Sequence, residues 1–323
     1  MKIGVVTNLL YSLPLNESLT YFKNLGIEMV ELGAGGYPGT GHLDPKVLLN
    51  DEKALNDFKS TIEKSGIEIS ALSCHGNPVH PNKEVAKQFH EDFERTILMA
   101  EKLGISQINT FSGCPGDCET SQYPNWVTCP WPEDFLKILD WQWNEILIPY
   151  WKKAVSFAKA HGVNKIALEM HPGFCVYNVD SLLKLREAVG PEIGANFDPS
   201  HLIWQGVDPC VAIKRLGKEN AIFHFHAKDT KVDKYNTALN GVLDVKHYCD
   251  EVNRSWIFRT VGYGNDYSYW KDIISTLKMI GYDYVLSIEH EDSLMSTGEG
   301  LSKAVEFLKE VATKEANTGM WWA

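Results

Sequence analysis

At 323 residues, 44% of them hydrophobic, the chain is long enough to bury a sizeable core. A formal charge of −11 at pH 7 repels polyanions at long range, which argues against nucleic acid or an anionic membrane as partner. No run of about 18 apolar residues occurs, and MKIGVVTNLLYSLP runs straight into a strand pattern without signal-peptide flanks, so a cytoplasmic protein is expected.

Strands alternate with helices from the first residues. Apolar runs read as strands and 3.6-residue periodicity as helices give KIGVV (2–6), a helix at 17–24, EMVELG (28–33), a helix at 53–65, IEISALS (67–73), a helix at 84–103 and QINTFSG (107–113). The pattern continues with a helix at 143–161, KIALEM (165–170), a helix at 179–189, IGANFD (193–198), a helix at 208–216 and IFHFHAK (222–228). A helix at 269–280, YVLSIEH (284–290) and a helix at 301–313 complete it. Eight strands, each followed by a helix without a break, predict a single (β/α)₈ TIM barrel over 1–323. The rival is a two-domain dinucleotide-binding enzyme, but no G-x-G-x-x-G opens a helix after the first strand, so no nucleotide cofactor is expected.

Two connections, about 112–142 and 229–268, are far longer than ordinary barrel loops, and both leave the carboxyl face. Tyr123, Trp126 and Trp131 in the first and Tyr235, Trp256 and Tyr263 in the second suit a packed roof over a site.

Four segments of the second half each end an apolar run with a metal-binding side chain: ALEMHPG (167–173), ANFDPSH (195–201), FHFHAKD (223–229) and LSIEHED (286–292). Glu169, Asp198 and His226 stand about one βα repeat apart, and Glu289 follows after a repeat plus the second long loop. The four side chains are therefore expected to converge at one rim around one divalent cation. Carboxylates with one imidazole suit a hard or borderline ion, Mn²⁺ first, with Mg²⁺, Co²⁺ or Zn²⁺ as alternatives. His224 and His226 share strand parity; His226 lies nearer the carboxyl end and is taken as the ligand, with His224 deeper. His171 shares parity with Glu169, and His201 follows Asp198 in a D-P-S-H turn; either binds substrate oxygen or moves a proton. Lys228 and Arg259 are substrate-binding candidates, for a phosphate group, or ordinary salt-bridge partners.

The seven cysteines, Cys74, Cys114, Cys118, Cys129, Cys175, Cys210 and Cys249, are odd in number and scattered, which predicts free thiols. The spacing of Cys114, Cys118 and Cys129 matches no common zinc pattern.

In L-E-M-H (168–171), F-D-P-S-H (197–201), H-F-H-A-K-D (224–229), S-I-E-H (287–290) and R-T-V-G-Y-G (259–264), the chain resembles the xylose-isomerase-like barrel superfamily. That superfamily includes sugar isomerases and epimerases, inosose dehydratase and endonuclease IV. The resemblance implies metal ligation by Glu169, Asp198, His226 and Glu289, with Glu169 and Glu289 also the acid/base pair on opposite faces of the substrate. It implies that His201 contacts substrate oxygen and that His75, in S-C-H-G, occupies a polar position on the same rim.

The expected activity is that of a divalent-metal-dependent sugar isomerase or epimerase, working by proton abstraction next to a carbonyl through a metal-bound enediolate. The alternative is a lyase or dehydratase acting on a keto sugar, an inosose or a 3-keto glycoside, by β-elimination. A phosphodiesterase like endonuclease IV is remote, because the strand-four end and the segment after Lys228 lack the extra ligands of its trinuclear site. The terminal Trp321-Trp322 pair raises the further expectation of a homo-oligomer or a partner subunit.

Overall fold

The computed structural model describes residues 1–315, 319, 320 and 322. Eight parallel strands close into a barrel: β1 (Lys2–Val6), β2 (Met29–Gly33), β3 (Glu68–Ser73), β4 (Gln107–Thr110), β5 (Lys165–Glu169), β6 (Ile193–Phe197), β7 (Ile222–Ala227) and β10 (Val285–Ile288). The order around the barrel is β1-β10-β7-β6-β5-β4-β3-β2, so the last strand shuts against the first. These are the eight expected strands. They read as apolar runs because each packs inward on the lumen and outward on the helices, and Ile3, Val30, Leu72, Ile108, Ile166, Ile193 and Phe225 are fully buried.

The helices are α1 (Leu15–Leu25), α2 (Pro45–Leu48), α3 (Glu52–Ser65), α4 (Lys83–Leu103), α5 (Asp134–Trp141), α6 (Ile148–Ala160), α7 (Val179–Val189), α8 (Pro199–Trp204), α9 (Pro209–Gly217), α10 (Lys234–Asn240), α11 (Tyr267–Met279) and α12 (Thr297–Val311). Among the described residues, none is long and apolar enough to cross a membrane. α12 begins four residues before the expected start because Ser296 caps it, its hydroxyl accepting from the Glu299 amide at 3.3 Å.

Both long loops carry structure that the sequence pattern did not announce. After β4, α5 runs through a π-helical turn, Gln142–Leu147, directly into α6. After β7, β8 (Asp229–Val232) and β9 (Trp256–Arg259) pair antiparallel as a ribbon, with α10 between them. Asp229 anchors this ribbon to the barrel. Its Oδ1 accepts from the Thr230 amide (2.8 Å) and Asn265 Nδ2 (2.7 Å); its Oδ2 accepts from the amides of Gly262, Gly264 and Asn265 and from the indole of Trp270. Burial pushes the Asp229 carboxyl above its usual range, against the pull of these donors. Gly264 is obligatory here, since a Cβ would stand 2.5 Å from the Thr230 carbonyl oxygen.

All seven cysteines are free thiols. Of the terminal tryptophans, Trp321 lies outside the described residues and Trp322 is exposed.

Candidate metal centre

At the carboxyl rim the chain brings Glu169, Asp198, His226 and Glu289 together, with one donor atom of each within 4.8 Å of the others. Local sequence explains the placement. Glu169 is the last residue of β5 and His226 the penultimate residue of β7, while Glu289 follows directly on β10. Asp198 serves as N-cap of α8: its Oδ1 accepts from the Ser200 amide at 2.8 Å, and Pro199 holds the first helical position. That short helix also sets His201, whose Nε2 is 2.9 Å from Glu169 Oε1 and 3.3 Å from Asp198 Oδ2.

The imidazole of His226 bridges two acidic layers. Its Nδ1 lies 3.2 Å from Glu289 Oε2 and 3.4 Å from Glu169 Oε2, while its Nε2 lies 3.0 Å from Glu31 Oε2 below. A carboxylate behind an imidazole is the arrangement that fixes the ring of a metal-ligating histidine. Glu31, fully buried in β2, is itself held by Asn109 Nδ2 (2.9 Å), the Ser287 hydroxyl (3.0 Å) and the Ser73 hydroxyl. Burial opposes its ionisation, yet His226 and His224 hold its carboxyl far below the usual range. His224 sits deeper in the lumen, between Asn196 Oδ1 (3.0 Å) and the Ser70 hydroxyl (3.2 Å), and burial pushes it down to about 4.

The electrostatics call for positive charge at this rim. Burial, together with the charges of Glu169 and Glu289, pushes the Asp198 carboxyl up to about 7 against the pull of Lys228, and its Oδ2 is buried without a hydrogen-bond partner. Burial likewise opposes the ionised form of Glu289, but Lys228 and His226 draw it down to about 2. His226 is held well above the ordinary imidazole range despite burial, because Glu31 and Glu289 draw a proton onto it. An orphaned buried carboxylate oxygen, two further acids and an imidazole nitrogen, spaced as donors about 2.0–2.6 Å from one centre would be, fit a divalent cation.

The other candidates divide. His75 Nε2 lies 3.2 Å from Glu169 Oε2. Lys228 Nζ, itself buried, reaches Glu289 Oε2 at 3.0 Å and Asp198 Oδ2 at 3.6 Å, with its remaining partner Glu291. Its ammonium also lies 4.3 Å from the centre of the Phe258 ring. His171 packs against His201 with ring centres 4.1 Å apart and planes 53° from parallel, and its Nδ1 faces the Pro172 carbonyl at 2.6 Å. Burial pushes His201 down to about 3, so it meets Glu169 as a neutral ring. Arg259 does not join the cluster: β9 carries it to Asp292, whose Oδ2 accepts from its Nε at 3.0 Å. Glu31 escaped the sequence reading although it left a signal, an acid in the middle of the buried run M-V-E-L-G.

Fold and site define a (β/α)₈ barrel with a carboxylate–imidazole cluster at its carboxyl face. Residues 19–311 match the xylose isomerase-like TIM barrel family, and the chain belongs to that family. It is 40% identical over 316 residues to the Bacillus subtilis (strain 168) protein YfiH, described as uncharacterized, covering 97% of this chain and all of that one. Among solved structures it is similar to the IOLI protein with a bound zinc atom (19% identity, TM-score 0.64, 96% of this chain and 98% of that one). It is also similar to the E. coli 3-keto-D-glucoside 4-epimerase YcjR (13% identity, TM-score 0.64, 96% and 99% covered). At these identities the two structural likenesses are of fold.

Proposed function

We propose that this chain is a divalent-metal-dependent isomerase or epimerase of a sugar or sugar derivative, moving a proton at the carbon next to a carbonyl. The observation that carries this reading is the convergence of Glu169, Asp198, His226 and Glu289 at one buried rim. The zinc atom of the IOLI structure and the epimerase activity in the name of YcjR support it. A cation held by the four residues would acidify the C–H beside a carbonyl and balance the negative charge that develops on oxygen.

The chain's own residues do the rest. Glu169 and Glu289 are the proton carriers, one removing the proton from its face of the substrate and the other returning one from the opposite face. Despite burial, His201 and His75 keep Glu169 well below the ordinary carboxyl range, so it meets the substrate ionised. Lys228 and His226 do the same for Glu289. Asn196 Nδ2 donates to Glu169 Oε2 at 3.2 Å and limits rotation of that carboxylate.

One observation favours a second reading, β-elimination from a keto sugar. With its Nδ1–H donating to the Pro172 carbonyl, His171 has Nε2 left to take up a proton and then hand it to a leaving group. Incubation with candidate ketoses and 3-keto glycosides in D₂O separates the two. We expect deuterium at the carbon beside the carbonyl without loss of mass; release of water or an aglycone would move the assignment to a lyase, and no exchange on any of them would end the proton-transfer reading.

A further inference from the structure

Two adjoining lobes, of about 420 Å³ and about 380 Å³, both include His171 and Tyr248 and are lined by neighbours of the cluster. The first is floored by Phe258 and by Glu291, the partner of Lys228; the second reaches His201, the partner of Glu169. Each volume falls in the range of about 300–1,000 Å³ that suits drug-sized ligands, and together they exceed what a single monosaccharide fills.

The second lobe is walled by Trp126, Trp204, Trp256, Tyr248, Leu243 and Val245. Trp204 and Trp256 stack with ring centres 4.5 Å apart and planes 4° from parallel, making a rigid wall. Leu243 and Tyr248 are 64% and 53% exposed on the segment between α10 and β9, apolar surface at the mouth of a cavity. Apart from His171, His201, Thr128 and Tyr248, the lining offers the hydroxyls of a sugar few free partners. The acid in the wall, Asp244, is already engaged, its Oδ2 accepting from the Ser255 amide and its Oδ1 from the Lys246 amide and ammonium. The indole N–H groups of Trp126 and Trp204 are buried, so these two side chains offer the lobe no exposed donor. A flat apolar group would complement these walls.

We propose that the substrate is an aryl glycoside of a keto sugar: its sugar ring, which carries the carbonyl, lies at the Glu169/Glu289 cluster and its phenolic aglycone fills the lobe walled by Trp126, Trp204 and Trp256. This names the substrate class of the proton-transfer site and rests on that reading. A second copy of the chain is the poorer occupant, because the lobe is concave and continues down to His201 and His171, next to Glu169.

Isothermal titration calorimetry with phenyl, octyl and methyl β-D-glucoside tests it on the wild-type chain. None of the three carries a carbonyl, so binding is read without chemistry, and loss of deuterium exchange on keto substrates is a separate failure. The phenyl glucoside is expected to bind at least ~10-fold more tightly than the methyl glucoside. Leu243→Asp, an exposed substitution, brings that ratio toward one without lowering the melting temperature. Equal affinity for phenyl and methyl overturns the proposal, and tighter binding of octyl than phenyl overturns the aryl class. A dimer that dissociates in Leu243→Asp while the phenyl preference stays intact gives the patch to a second copy and also overturns it.

Discussion

Replacing Glu169 by Gln is expected to slow deuterium exchange at the substrate carbon by about 10²–10⁴-fold, the range a positioned general base contributes. Gln keeps the length and shape of the side chain but has no carboxylate to take a proton. Its amide also faces the neutral ring of His201 at 2.9 Å and the His75 ring at 3.2 Å, so the loss is chemical as well as positional. The measurement is mass-resolved deuterium incorporation in D₂O, with the ion content of each preparation determined alongside so that weaker cation binding is separated from slower proton transfer. Glu289→Gln is expected to behave similarly, because Glu289 is held as a carboxylate by Lys228 and His226. If both variants exchange at the wild-type rate, the two-carboxylate mechanism is wrong.

Replacing Asp229 by Ala is expected to destabilise the fold by on the order of 4 kcal/mol, close to the cost of breaking a buried charged network. One carboxylate satisfies six N–H donors drawn from the ribbon, the 262–265 turn and α11. Without it, the Trp270 indole and the turn amides are left unpaired in a region that water reaches poorly, since Trp270 is fully buried. The melting temperature should fall by roughly 5–10 °C. Asp229→Asn, with one acceptor oxygen in place of two, should fall between wild type and Ala. A melting temperature for Asp229→Ala within a degree of wild type would show that the anchor is dispensable.

The barrel strands were legible because burial on both faces writes itself as continuous apolar runs, and a closed parallel barrel has no exposed edge to blur the pattern. The four rim residues were legible for a related reason. Glu169, Asp198 and His226 end those runs at intervals of one repeat and Glu289 after a repeat plus the second long loop, and parallel register carries that spacing into three dimensions: Glu169 pairs with Asn196 two positions before Asp198, and Ser287 pairs with His226 two positions before Glu289. Glu31 was not legible as part of the site, because a single acid inside an apolar strand gives no hint of its partners, which lie on β4, β7 and β10. The β8–β9 ribbon escaped as well. Its stability comes from Asp229 and from the stacking of Trp204 on Trp256, contacts between positions far apart in the chain. For Arg259 the sequence left a phosphate contact and an ordinary salt bridge open, and pairing of β9 with β8 places it in a salt bridge with Asp292.

The central claim is that Glu169, Asp198, His226 and Glu289 hold one divalent cation. Elemental analysis of the purified protein beside its Asp198→Ala variant tests it most directly, because the Oδ2 of Asp198 is the one cluster oxygen left buried with no hydrogen-bond partner. The account predicts close to one ion per wild-type chain and a large loss of that ion in a variant that still folds. Full retention of the ion by Asp198→Ala, or a wild-type chain that binds none of Mn²⁺, Mg²⁺, Co²⁺ or Zn²⁺ when they are supplied, would contradict it.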